Sequence, residues 1–196
     1  DFKNDMEDTL NSLDNIPQYI TDDCGFAIVA QEYQNFSAGG TAVSNRYGHA
    51  VIDAVFGGPN LAVQPNHASI FEVQIRNDNS ALSCFPTYES VPEFCLINGE
   101  FYDQNFSDTN TIESALTQEE YPRINGVFSP LAEYQYEHLH QIITCLQSLI
   151  GPDYVAFDYE WGFANDRFTC VQIRPEIGTA CQDVVEPSPE LVQKTP

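Results

Sequence analysis

The chain has 196 residues, with 29 Asp and Glu against 7 Lys and Arg, and a formal net charge of −22. A hydrophobic content of 42% supplies one domain with a substantial core and excludes disorder as the default state. The charge excludes nucleic acid and anionic membranes as partners held by bulk electrostatics; no apolar run is long enough to span a bilayer and the start carries no signal-peptide pattern, so a cytoplasmic protein is expected.

In chain order, Gly48-His49 marks a turn ahead of a strand that begins at Val51. The stretch 77–126 is rich in turn residues and predicts two short strands, 93–97 and 99–102, followed by a short helix over 109–120. Ser129 predicts a helix N-cap with Pro130 at the first helical position. Apolar residues at 131, 134, 138/139, 142, 145/146 and 149 form one stripe, and Gly151-Pro152 stops the helix. His138 lies on that stripe and is expected in the core. His140, about 200° further round the helix, is expected in solvent, so the two cannot share one metal ion.

Residues 155–175 read as a hairpin with its turn at 162–166. Val155, Phe157 and Tyr159 alternate with Ala156, Asp158 and Glu160; Arg167, Thr169, Val171 and Ile173 alternate with Phe168, Cys170, Gln172 and Arg174. If Asp158 and Glu160 share a face with Gln172 and Arg174, then carboxylates, an amide oxygen and a guanidinium converge on one spot. That combination can hold a hard cation and the oxygens of a phosphate. The plainer reading is a surface hairpin with its polar side in water. A third takes Asp158 and Glu160, two apart on one strand and so about 6.5–7 Å apart at the backbone, as the acid pair of a glycosidase, with Tyr154, Phe157, Tyr159, Trp161 and Phe163 as sugar platforms.

Six scattered cysteines include no C-x-x-C pair and no zinc-ligand spacing, which favours free thiols in a reducing compartment; a secreted disulfide protein stays open because six is even. Cys145 in the helix stripe and Cys170 in a strand are expected to be buried thiols. There is no G-x-S-x-G elbow, and Asp22-Asp23 and Glu119-Glu120 read as solvated loops.

Asp158-Tyr159-Glu160-Trp161 followed by Gln172-Ile173-Arg174-Pro175 resembles the closing segment, D-I-E-W then Q-x-R-P, of the ATP-binding domain in the pyruvate phosphate dikinase and phosphoenolpyruvate synthase family, an ATP-grasp group. The resemblance extends upstream. Ser129-Pro130-Leu131 matches the start of the preceding helix, 26–33 the A-V-L-V-Q-x-M-V hinge strand, 36–44 the S-G-V-A-F-T strand, and 51–63 the I-E-A-V-W-G-L-G-E-A-L-V segment. Asp53 and Asn60 stand where that last segment has glutamates, and Pro59 where it has a glycine.

The resemblance implies an α+β fold, a mainly antiparallel sheet with packed helices, corresponding to an ATP-grasp C-terminal lobe over residues 1–181 with a Pro-rich linker or tail at 182–196. It implies ATP and Mg²⁺ as ligands, with Glu160 and Gln172 holding the metal and Arg174 at the terminal phosphates as the catalytic cation. Gln31, Glu32 and Tyr33 would line the adenine, and Asp158 would orient the cluster. The only lysines, Lys3 and Lys194, fall in predicted tails. A lysine-bearing N-terminal lobe and a phosphohistidine domain, on the same or another chain, are therefore expected partners, and the chain is expected to be part of a longer polypeptide. The interval from Gly39-Gly40 to His49 is too long for that domain's G-G-x-x-S-H-A signature, and a turn accounts for His49. The competing expectation is a non-catalytic acidic interaction module that retains the fold.

Overall fold

The computed structural model describes residues 34–45, 47–63, 69–76, 83–150 and 156–176. All of them belong to one unit that begins at Gln34. Its frame is a six-stranded sheet in the order β10-β9-β1-β2-β3-β4, formed by β1 (Ala38–Asn45), β2 (Ala50–Phe56), β3 (Phe71–Ile75), β4 (Ser83–Pro86), β9 (Ala156–Ala164) and β10 (Arg167–Glu176). Every neighbouring pair is antiparallel. Two ribbons stand apart from it: β5 (Phe94–Ile97) with β6 (Glu100–Asp103), and β7 (Arg123–Ile124) with β8 (Val127–Phe128). The helices are α1 (Asn60–Val63), α2 (Thr109–Gln118) and α3 (Glu133–Ile150). The expected α+β class and mainly antiparallel sheet are therefore present.

Alternation along the strands sorts the two faces of the sheet. Ala42, Ile52, Ala54, Phe71, Val73, Tyr159 and Trp161 are buried on one face. Helix α3 covers this side, touching β1, β3 and β9, and its Tyr136 stacks on Phe71 at 6.1 Å between ring centroids. A Cβ on Gly40 would overlap the Asp53 carbonyl and the Trp161 ring, so this position in β1 takes the one residue that lets the indole lie flat against the strand.

The predicted short strands and the helix over 109–120 are present within a residue or two. Asp108 caps α2, its carboxylate accepting from the Thr111 N–H at 2.6 Å. The β1–β2 turn is tied by Asn45, whose side chain accepts from the N–H groups of Tyr47 and His49, and Gly48 there has a φ of 79°. His49 is thus a turn residue.

Four expectations are corrected. Helix α3 starts at Glu133, not after Ser129. Ser129 is fully buried; its hydroxyl donates to the Leu131 carbonyl at 2.7 Å and lies 3.1 Å from the Tyr136 hydroxyl, while the Ala132 N–H is capped by the Gln135 side chain at 2.7 Å. The buried stripe runs through Tyr136, Leu139, His140 and Ile143, leaving Tyr134 and Leu149 exposed. His140 is consequently the core histidine, with Nε2 2.7 Å from the Gly48 carbonyl, whereas His138 is exposed and meets the Phe168 ring edge-on. Cys145 and Cys170 are exposed, Cys145 because it lies off the buried stripe of α3 and Cys170 because β10 ends the order of strands in the sheet. Finally, Gly162 to Ala164 complete β9, and the turn is Asn165-Asp166 alone, with φ of 52° and 58°, the left-handed pair that a tight two-residue hairpin requires.

Candidate functional site

Opposite the core, two rows of side chains run across the strands, the first polar throughout and the second polar at its two ends. In the first, Gln172 pairs with Glu160, Glu160 with Thr41, Thr41 with Asp53, and Asp53 with Glu72. In the second, Arg174 pairs with Asp158, Asp158 with Val43, Val43 with Val51, and Val51 with Gln74. Direct cross-strand neighbours have Cβ atoms about 4.5–5.5 Å apart, so each row sets its side chains next to one another.

Strict alternation could not have placed Arg174 and Gln172 there together with a Phe168 on the core side. The ladder between β9 and β10 shifts register between Cys170 and Gln172, with Val171 as the extra residue of a β-bulge. Before the bulge, Phe168 and Cys170 lie opposite Phe163 and Trp161 on the core side. The Phe168 ring packs against His138, Trp161 and Phe163. After it, Gln172 and Arg174 lie opposite Glu160 and Asp158 on the outer side. One extra residue reverses the phase of the strand between its aromatic half and its polar half. The expected convergence of these four side chains is met, while the single alternation assumed through 167–174 is corrected.

The contacts are specific. Arg174 Nη2 forms an ion pair with Asp158 Oδ2 at 2.7 Å and donates to Glu160 Oε1 at 3.2 Å, so one nitrogen serves both carboxylates. The carboxylate side chains are largely sheltered, 22% and 15% exposed, whereas the Arg174 side chain is 55% exposed. Further along the first row, Asp53 is partly buried; that burial, reinforced by the negative charge of Glu72, raises its carboxyl pKa above the ordinary 3.8. Glu72 itself accepts from Gln74 Nε2 at 3.0 Å. Thr41 and Asp53 were not singled out as site residues beforehand, since only the strand order reveals that they continue the line of Glu160 and Gln172.

One end of this outer face is roofed. The Phe36 ring lies over Gly162, and the segment Gly57-Gly58-Pro59 lies over Gly39, each so close that no side chain would fit at the glycine. Asn60, which occupies the place of a glutamate in the resembling family, is exposed at the start of α1. Gln31, Glu32 and Tyr33, expected as the hinge, and the lysines Lys3 and Lys194 lie outside the described residues. Among the described residues, Arg123 is engaged elsewhere, bonded to Glu113 at 2.6 Å and stacked 3.7 Å from the Phe128 ring centre.

The donor set suits a hard cation in kind: carboxylates and an amide oxygen, with no thiolate or imidazole. A single Arg174 nitrogen within bonding distance of both Asp158 and Glu160 demonstrates that the two carboxylates address one positive centre. Among the described residues, no group of three or more His, Cys, Asp or Glu side chains is arranged to hold a metal, so a cation here would rely on the two carboxylates, the Gln172 amide and oxygens of its own ligand or water. An open groove of about 390 Å³ lined by Tyr102, Asp108, Thr111 and Ser114 shares no residue with the polar rows, and Asp108 there is committed to capping α2. Neither a scan against models of protein families nor a search of curated proteins found a match to this chain.

Proposed function

We propose that this chain is an ATP-grasp C-terminal lobe that binds Mg-ATP within a phosphotransferase of the pyruvate phosphate dikinase and phosphoenolpyruvate synthase type. The reading is carried by one observation: the bulged hairpin sets Gln172 against Glu160 and Arg174 against Asp158 on a single face, as holding a cation and a phosphate together requires. Glu160 and Gln172 hold Mg²⁺, Asp158 orients the group, Arg174 meets the terminal phosphates, and Gln31, Glu32 and Tyr33 line the adenine. When bound, Mg²⁺ supplies neutralisation of charge that builds on the phosphate oxygens during transfer. The sheet contributes a fixed floor, and the Phe36 and Gly57–Pro59 roof shields one end of that floor from water. Completion of the reaction calls for a lysine-bearing lobe and a histidine carrier domain, on this polypeptide or another, acting in the cytoplasm.

A second reading, an acidic interaction module that keeps the fold without the chemistry, is favoured by Asn60 in place of a glutamate and by the net charge of −22. Calorimetric titration of Mg-ATP decides between them. The enzyme reading expects binding that requires Mg²⁺, falls at least roughly tenfold in Glu160→Gln and in Arg174→Ala, about 1.4 kcal/mol or more, and leaves folding nearly unchanged. Absence of binding by the chain supplied with a lysine-bearing lobe, or a large loss of stability in Glu160→Gln with normal binding, overturns it.

A further inference from the structure

Ribbon β5–β6 stands apart from the six-stranded sheet, and its two faces differ in kind. Cys95 and Ile97 are buried on the face turned to the core, and Tyr102 packs against the core from the same side. Alternation puts Phe94, Leu96, Phe101 and Asp103 on the other face, with Phe94 across from Asp103 and Leu96 across from Phe101. The rings of Phe94 and Phe101 have centroids 6.2 Å apart, and Phe101 is 52% exposed. Leu96 lies against Gly57, as does Leu61 of α1. These side chains make one continuous apolar strip that reaches solvent, which scattered surface residues do not. Carboxylates stand at both ends of it: the exposed Glu93 and half-buried Asp103 beside Phe94, and the exposed Glu100 beside Phe101. From 77 to 122 the sequence carries nine Asp and Glu and no Lys or Arg, so the ribbon and its flanks contain no cation of their own to balance them.

We propose that this strip is a docking surface for a cationic amphipathic segment of another protein, which seats apolar side chains on Phe101 and Leu96 and brings lysines or arginines to the carboxylates at the two ends. Charge selects the occupant. A second copy of this chain would meet the strip with the same excess of negative charge, and an anionic membrane or a nucleic acid would be repelled in the same way. A basic partner finds both an apolar centre and a complementary rim. The aromatic centre supplies most of the affinity, while the charged ends speed encounter and reject acidic competitors. Size fits a short segment: strands of four residues span about 13 Å, the length of about nine residues of helix. An amphipathic helix laid on the strip would present its apolar side to Phe101 and keep its cations at the edges. The strip includes no residue of the two rows on the main sheet, so the inference stands whether or not the chain binds nucleotide.

The test uses the full chain and a fluorescein-labelled synthetic peptide of about 14 residues, with leucines on one face of a helix and lysines on the other, followed by fluorescence anisotropy. A second peptide of the same composition, with its leucines spread around the helix, separates recognition from bulk attraction. The amphipathic peptide should bind roughly tenfold more tightly than the second, a difference of about 1.4 kcal/mol. Phe101→Ser should abolish that preference without lowering the melting temperature, and Glu93→Gln/Glu100→Gln should weaken binding several-fold and flatten its dependence on NaCl. Equal binding of the two peptides, or a preference that survives Phe101→Ser, overturns the proposal, because charge alone then accounts for the attraction. A measurement on the wild type needs no variant: amide hydrogen exchange should slow over residues 94–103 when the amphipathic peptide is added, and slowing that falls elsewhere, or none, overturns it. Mg-ATP should not displace the peptide; displacement would put the peptide on the main sheet and sink the docking strip while leaving the nucleotide reading in place.

Discussion

Asp53 shows how a single side chain can work against the fold that carries it. Its carboxyl pKa is raised by partial burial and by Glu72, its direct neighbour across the β2–β3 ladder. A carboxylate with a raised folded pKa is ionised at a cost: the penalty is present above the folded value, shrinks as pH falls through it, and is gone below the ordinary value of 3.8. Asp53→Asn should therefore stabilise the protein at pH 7, and the gain should fade as pH falls through the raised folded pKa. Urea unfolding of both proteins between pH 3 and pH 7 checks this; a variant less stable at pH 7 would show that Asp53 makes a net favourable interaction there. A sheltered, partly desolvated carboxylate kept in line with Glu160 is the sort of liability that proteins retain at working sites. His140 is the contrasting case. It is a buried histidine whose ring nitrogen meets the Gly48 carbonyl and so clips α3 to the β1–β2 turn, a structural task.

At the scale of the element, strand β10 is the part of the molecule on which the site depends most. The extra residue at Val171 lets one strand pack Phe168 against the core and still present Gln172 and Arg174 to the carboxylates. Deleting Val171 should force a choice between these. Since Phe168 is held by three rings, the polar half should be the half that loses its partners. A double-mutant cycle between Asp158 and Arg174, expected to give a coupling of about 0.2–1 kcal/mol for so exposed a guanidinium, should read zero in the deletion variant; an undiminished coupling would mean that the bulge relocates without consequence. The hairpin, its four polar residues and their common face were legible in the sequence because alternation and motif agree there. The bulge was not, because a one-residue insertion leaves both halves of the strand individually regular. Helix α3 was legible in its existence but not in its phase: Ser129 and Pro130 have the look of a helix start, and only the burial of the Ser129 hydroxyl beside Tyr136 reveals that they belong to the approach instead. That Thr41 and Asp53 continue the line of Glu160 was not legible for a third reason, since nothing local states which strands lie side by side.

At the scale of the whole molecule, one sheet separates two kinds of chemistry, an aromatic-rich core under α3 and an acidic outer face with a single guanidinium among its described residues that binds two carboxylates. Self-repulsion from the net charge of −22 opposes compactness and is screened by salt. Raising NaCl from about 10 to 150 mM, which shortens the screening length from about 30 to 8 Å, should raise the melting temperature by a few degrees. A melting temperature that falls would mean that attractive pairs such as Arg174 with Asp158, not repulsion, dominate the surface. The bulge also carries a consequence for how this sequence can vary. What Val171 supplies is a count, and many side chains would count equally well, so substitutions at 171 should be tolerated where a one-residue deletion or insertion between Phe168 and Gln172 is not. Across any set of homologues, the spacing of those two positions should therefore be held more tightly than the residues that fill it.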